Sequence, residues 1–297
     1  MEETPKVQRD VNLARFTTFG IGGAADYFVV PKSANELQQA IEWAESEDHE
    51  WFVLGSGANI LFGDGGFRGV VIKNEAKHFE FKDRLLKADS GATIAELIDA
   101  TTKRGLSGLE HYKGIPSTVG GAMWQNLHFL SYPHEQTRFI SEIVEGATIL
   151  ADGERRHVTK EYFRFGYDTS VLHDNDHIVL EVTFALEEST PEDVEEVAVE
   201  NLAWRRRVHP ANAAQMSAGS IFRKIKGVGA GRLIDQCGLK GYRVGGAEIS
   251  DHHANYILNV ENATAEDVRK LIEHVQKVVN EKTSYALEPE ISFVGEF

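Results

Sequence analysis

Two glycine-rich loops hold the residues best suited to chemistry in this sequence. The first, Gly55, Ser56, Gly57, Ala58, Asn59 and Ile60, directly follows the strand-like run Trp51 to Leu54. The second contains Gly114, Ile115, Pro116, Ser117, Thr118, Gly120, Gly121 and Ala122. Glycine permits positive φ and lets backbone N–H groups come close to an anion. Ser56, Ser117 and Thr118 add hydroxyl donors, so the chemistry on offer is the cradling of a pyrophosphate. Neither loop is a G-x-G-x-x-G opening a long helix, and neither carries the Lys-Ser/Thr pair of a P-loop. A tight turn explains one such loop more often than a ligand does. Two loops, with Gly20-Ile21-Gly22-Gly23 upstream, put a phosphate-bearing ligand on an equal footing with tight turns.

The elements that must hold these loops are readable from pattern and caps. Runs rich in β-branched and aromatic residues predict strands over Asp26 to Val30, Trp51 to Leu54, Gly69 to Ile72 and His177 to Leu186. Helices are announced by capping signatures at Ser33…Glu36, Thr93…Glu96, Thr190…Asp193 and Thr264…Asp267. After the last of these, Val268, Leu271, Ile272, Val275, Val278 and Val279 share one face. The helix opened by Thr190 begins among acids and ends at Arg205-Arg206-Arg207, which suits its dipole and reads as a solvated face. A boundary near Ser189 divides the chain into 12–188 and a compact α+β segment, 189–297.

Composition narrows the partners. Among 297 residues, 42% are hydrophobic and 26% charged, enough for a sizeable core. The net charge of −15 argues against nucleic acid, and a phosphate-bearing ligand needs a local cationic setting against that field. One cysteine, Cys237, allows no internal disulfide and fits the cytoplasm. No apolar run is long enough for a membrane span. Of the twelve histidines, His252-His253 and His173…His177 lack a third ligand at a persuasive spacing, so no metal is expected. Trp51, Trp124 and Trp204 read as core residues.

The order of motifs is more specific than any one of them. Phe16-Thr-Thr-Phe-Gly-Ile-Gly-Gly23, then Leu54 to Leu61, then Gly63-Asp-Gly-Gly-Phe-Arg-Gly69, then Gly114 to Ala122 resembles the FAD-binding domain of the UDP-N-acetylenolpyruvoylglucosamine reductases. Ser217-Ala-Gly-Ser-Ile-Phe222, Ala230 to Asp235, His253 to Asn259 and Leu287-Glu-Pro-Glu290 are similar to the C-terminal part of the same family. The resemblance spans about residues 12 to 296. It implies an α+β chain: a vanillyl-alcohol-oxidase-type FAD-binding domain of two subdomains over 12–188, then a smaller α+β substrate domain over 189–297. It implies FAD as cofactor, NADPH as hydride donor and a nucleotide sugar as substrate, in a monomeric cytoplasmic enzyme of peptidoglycan precursor synthesis.

By the same resemblance, hydride passes from NADPH by way of the flavin to the vinyl carbon of the enolpyruvyl group, and a proton is then added at the neighbouring carbon. The motif places the proton donor at Ser220 and the enol-stabilising carboxylate at Glu290. Read by itself, Ser220 is better explained as a turn or cap residue, and period-two alternation puts Glu288 on the same strand face as Glu290. Two departures stand out. Where the family carries Tyr-Arg-x-Ser, this chain reads Tyr167-Asp168-Thr169-Ser170, so an aspartate replaces the arginine that offsets the substrate carboxylate. Beyond Ser220 the chain has Arg223-Lys224-Ile225 in place of Lys-Asn-Pro, which makes Lys224 first and Arg223 second as replacement cations beside Tyr167 in contacting substrate. Asp168 is then expected in solvent or paired with one of these cations. A third, milder oddity is the bulky run Met123 to Phe129 after the second loop. These departures keep open a flavin oxidoreductase with a different substrate, or a flavin-binding paralogue without turnover.

Overall fold

The computed structural model describes residues 5–133, 135–209, 216–225 and 227–297. Two compact units emerge. The first gathers 29–56 and 72–205; the second gathers 8–28, 57–71 and 206–297. The chain passes from the first to the second within the first glycine loop and returns within the strand Phe67–Lys73.

The first unit is built on an antiparallel sheet of five strands, in the order Glu154–Thr159, Val144–Ala151, Ile178–Ala185, Leu85–Asp89, Phe79–Lys82. Its outer hairpin turns at Asp152-Gly153, both at positive φ, the backbone that an Asp-Gly pair favours in a two-residue hairpin. The alternate residues Ala147, Ile149, Val182, Phe184, Leu86 and Ala88 face the core. Helix α1 (Ala34–Ser46) buries Leu37, Ala40, Ile41 and Ala44, the i, i+3, i+4, i+7 stripe that its sequence spells. Its expected capping box closes on one side only. Ser33 accepts from the Glu36 amide, but the Glu36 carboxylate turns to the Lys32 amide, one residue early. Helix α2 (Ile94–Thr102) has the full box between Thr93 and Glu96, and α3 (Val119–Gln125) starts inside the second glycine loop with Thr118 as its cap. Helix α4 (Pro191–Val208) begins at a proline, with the Asp193 amide on the Thr190 hydroxyl.

In the second unit, Gln8–Asn12 pairs antiparallel with Ala24–Val29, and Ile60–Phe62 pairs parallel with Ser292–Val294. A short meander, Arg243–Val244, Ala247–Ile249 and Ile257–Asn259, packs against α5 (Ala230–Gln236) and α6 (Ala265–Thr283). Thr264 and Asp267 close the box at the start of α6 as the sequence spells it. The Asp64 carboxylate also accepts from the amides of Ala265 and Glu266. The positive end of α6 is thus filled by a carboxylate of the protein itself.

Candidate active site

The structure brings parts of the two glycine loops together within the first unit. The Ser56 hydroxyl donates to the Pro116 carbonyl at 3.0 Å. A Cβ on Gly55 would stand 2.7 Å from Thr118 Oγ1, so Gly55 is a close-approach position against the second loop. Beneath them runs a buried polar chain that sequence reading missed. The Asn74 amide donates to the Leu54 carbonyl, Asn74 Nδ2 donates to Ser90 Oγ at 2.8 Å, and the Gly120 amide donates to the Ser90 carbonyl at 2.8 Å. Asn74 and Ser90 are 5% and 2% exposed, so each of these bonds is made where water cannot replace it. The Lys73 ammonium donates to the Gly55 carbonyl, and burial pulls its pKa below the ordinary lysine value. No local motif marks Asn74, Ser90 or Lys73; their partners lie far away in sequence.

The amides of the first loop are less satisfied by the protein than those of the second, where Gly114, Ser117 and Thr118 alone lack an acceptor among the described residues. Those of Gly55, Ser56, Gly57, Ala58 and Asn59 donate to no protein acceptor among the described residues. In the second loop, Val119 donates to Ala92, Gly120 to Ser90, and Gly121 to the Thr118 side chain. The Ser117 hydroxyl is also engaged, donating to the Thr118 carbonyl at 3.0 Å. A hydroxyl has one proton to give, so Ser56 and Ser117 are committed to the protein in this geometry. Five neighbouring N–H groups without protein partners are the donor set a diphosphate requires. The observed backbone therefore fits the diphosphate of FAD at the first loop.

The second half of that loop organises the second unit's candidate residues. Gly57 sits at φ +67°, and a Cβ there would stand 2.2 Å from the Phe16 carbonyl oxygen. Its carbonyl accepts from the Thr18 amide, and Thr18 in turn exchanges hydrogen bonds with Ser217, amide to carbonyl at 3.1 Å and hydroxyl to carbonyl at 2.7 Å. Asn59 Nδ2 donates to the Glu290 carbonyl at 3.0 Å. The segment carrying Ser220 runs between two others: Ser220 bridges Tyr256 on one side, while the Glu290 amide donates to Ile221 and Phe222 bridges Pro289 on the other. Asn255 clamps Phe222 through its side-chain amide, accepting from its N–H and donating to its carbonyl. Ser220 and Glu290 are thereby neighbours in one backbone framework. The Ser220 hydroxyl makes no hydrogen bond among the described residues. Glu290 is half-buried, whereas Glu288 is exposed and contributes its carbonyl to the Arg223 amide. Ile115 and Ala122 pack into the first unit's core, and Ile60 is a strand residue.

The replaced arginine position has an unexpected neighbour. Asp168, at φ +53°, places a carboxylate oxygen 3.7 Å from His128 Nδ1. His128 lies against the rings of Tyr167 and Phe139, at 4.5 and 5.2 Å. The expectation for Asp168 named solvent, Lys224 or Arg223; its observed neighbour is instead a residue of the bulky run that follows the second loop. Two departures in the sequence thus face each other. Arg223 and Lys224 are exposed side chains of the second unit, and Tyr167, in the first, is 51% exposed. Trp124, read as core, is 39% exposed and stacks on His173 at 4.3 Å. The third glycine run is explained by packing, since a Cβ on Gly23 would lie 2.3 Å from the Asp64 carbonyl oxygen. Among the described residues no cluster of His, Cys, Asp and Glu could hold a metal, and no helix is long and apolar enough to cross a membrane.

Residues 25–159 match the model of an FAD binding domain, and the chain is accordingly an FAD-dependent oxidoreductase of α+β fold. Residues 209–294 match the model described as UDP-N-acetylenolpyruvoylglucosamine reductase, C-terminal domain. A UDP-N-acetylenolpyruvoylglucosamine reductase of Caldicellulosiruptor saccharolyticus is 41% identical over 291 residues, covering 97% of this chain and 92% of its own. That of Bacillus subtilis is 37% identical over 99% of this chain and 95% of its own. The crystal structure of the corresponding reductase from Thermus caldophilus superposes with a TM-score of 0.82 at 32% identity, covering 98% of this chain and 99% of that one. The chain belongs to the UDP-N-acetylenolpyruvoylglucosamine reductase family.

Proposed function

We propose that this protein reduces UDP-N-acetylenolpyruvoylglucosamine to UDP-N-acetylmuramate with NADPH, the reaction that completes the muramate precursor of peptidoglycan. The observation that carries this reading is the identity with named reductases over nearly the whole of both chains. When bound, FAD supplies hydride transfer between NADPH and the vinyl carbon. The protein's part is to hold, orient and protonate. The amides of residues 55–59 hold the diphosphate. Ser220 gives its hydroxyl proton to the carbon beside the one that gains hydride, and Glu290 stabilises the enol formed in between. A free hydroxyl fits the donor role, and its proximity in the backbone framework to Glu290 supports the pair. Tyr167, Lys224 and Arg223 serve the substrate, Lys224 taking over charge compensation from the missing arginine. The functional division we propose is 12–188 for flavin and 189–297 for substrate, supported by family matches at 25–159 and 209–294. A monomer in the cytoplasm that binds no nucleic acid is in keeping with one cysteine and a net charge of −15.

The test is anaerobic stopped flow. The enzyme is reduced with NADPH, the enolpyruvyl sugar nucleotide is added, and flavin reoxidation is followed. Ser220→Ala should leave reduction intact and slow reoxidation by about 10² to 10⁴; equal slowing of both halves would make Ser220 structural. One observation favours a second reading, a different substrate on the same scaffold: Asp168 beside His128 where the family has arginine. That reading requires reduction by NADPH without reoxidation by this sugar nucleotide.

A further inference from the structure

The strand Phe67–Lys73 ends at a lysine whose ammonium group has an unusual setting. Lys73 is half-buried, and its ammonium donates to the Gly55 carbonyl, a neutral group. No carboxylate lies within salt-bridge reach of it among the described residues. The nearby Glu75 carboxylate is engaged by Lys32, and Lys77, on the same stretch, is exposed and adds positive charge. A half-buried ammonium ion with only a neutral carbonyl as partner has lost part of its hydration without an ion pair in return. In a chain of net charge −15 this cation is bonded to the first residue of the loop whose amides have no protein acceptors among the described residues.

The geometry of the peptide unit says what it does there. The Gly55–Ser56 bond is trans, since the only cis bond among the described residues is Tyr132–Pro133. In a planar trans peptide the carbonyl and the following N–H point in opposite directions. With the Gly55 oxygen held on the lysine, the Ser56 N–H is turned to the other side of the loop. The Ser56 side chain cannot compete for that direction, because its hydroxyl is committed to Pro116. Gly55 could otherwise rotate freely, having no Cβ. We propose that Lys73 is a positioning residue for the flavin diphosphate, fixing the Gly55–Ser56 peptide plane so that the Ser56 amide presents its hydrogen to the phosphate oxygens. The inference rests on the reading of residues 55–59 as the diphosphate loop.

The test is FAD affinity of flavin-stripped protein, read by quenching of flavin fluorescence, with the melting temperature of the stripped protein as a control. Lys73→Met removes the donor at similar length. It should weaken FAD binding at least tenfold while the stripped protein melts as wild type does. Lys73→Gln can still donate to the Gly55 carbonyl and should recover more than half of that loss on a logarithmic scale. Wild-type affinity in both variants overturns the proposal, as does equal loss in both. If Lys73→Met does not fold, Lys73→Gln carries the test alone, and affinity within threefold of wild type supports the positioning role, whereas a tenfold loss overturns it. Failure of the stripped wild-type protein to bind FAD would sink the diphosphate reading itself, a different result from silence of the variants.

Discussion

In the stretch Gly55 to Asn59 every amide is left without a protein acceptor among the described residues, whereas in Gly114 to Ala122 the amides that open helix α3 are taken by Ala92, Ser90 and Thr118. The two loops are alike in composition and unlike in construction. Gly57 is glycine because the chain has a positive φ there and a carbonyl stands where Cβ would be. Gly121 is glycine with room to spare, its missing Cβ meeting only Ser117 Oγ and Thr118 Oγ1 at 3.4 and 3.5 Å. Backbone N–H groups must be satisfied somewhere. Where the protein does not do it, a ligand can, and in the second loop only the amides of Gly114, Ser117 and Thr118 are left so among the described residues. The same residue type thus stands hard against backbone at Gly57 and in open surroundings at Gly121.

Substitution at the two glycines should give the widest contrast. Gly57→Val places a branched side chain against the Phe16 backbone at positive φ and should destabilise by about 3 kcal/mol or more, seen as loss of soluble, cooperatively melting protein. Gly121→Ala should keep the melting temperature, since alanine suits a helix interior by about 1 kcal/mol over glycine. If flavin also passes over Gly121, its occupancy should fall in that variant. Unchanged occupancy would leave the second loop as scaffold alone. Next in size is Asn74→Ala, which strips Ser90 and the Ala76 amide of buried partners and should lower stability by about 2 kcal/mol in denaturant titration. A smaller loss than that of an exposed asparagine would mean the polar chain under the loops is dispensable. Ser56→Ala removes the bond to Pro116 and should cost about 1 kcal/mol, with a looser hold on flavin.

The smallest effect concerns the far support of the second loop. Thr93 bridges Thr118, and its box with Glu96 fixes it. The Thr93 hydroxyl, aided by its amide and opposed by partial burial, holds the Glu96 carboxyl below the ordinary value of 4.5. A lowered carboxyl pKa contributes stability that is present above the unfolded value and lost as pH falls through the folded one. Glu96→Gln should therefore cost about 0.5 kcal/mol at neutral pH, and the difference from wild type should vanish on acidification below the lowered pKa. A gap that persists in acid would assign the loss to packing.

Much of the framework was legible because it is local. Trp51–Leu54 is a strand as read, and the other three expected strands lie within two residues of those observed. Thr93 and Thr264 close their boxes. The hairpin at Asp152-Gly153 carried a recognisable signal between two alternating runs, which the sequence reading passed over. What could not be read is what depends on distant partners. Nothing near Asn74 announces Ser90, nothing near Lys73 announces Gly55, and Asp168 gave no sign of His128. The ordered motifs located the candidate residues and include Thr18, but that Thr18 joins Gly57 to Ser217 depends on partners far along the chain.

The parallel pairing of Ile60–Phe62 with Ser292–Val294 has a consequence for how the protein is made. Asn59 donates to Glu290, the Gly63 amide donates to Val294, and the Gly65 amide donates to Glu296. During synthesis the first glycine loop leaves the ribosome early, while everything that braces it from 290 to 296 is still untranslated. At roughly 5–20 residues per second the wait is on the order of ten to fifty seconds. On the reading of residues 55–59 as the diphosphate loop, cofactor capture waits until residues 290–296 have been made. A nascent chain stalled before residue 290 should carry the five-stranded sheet of the first unit and no flavin.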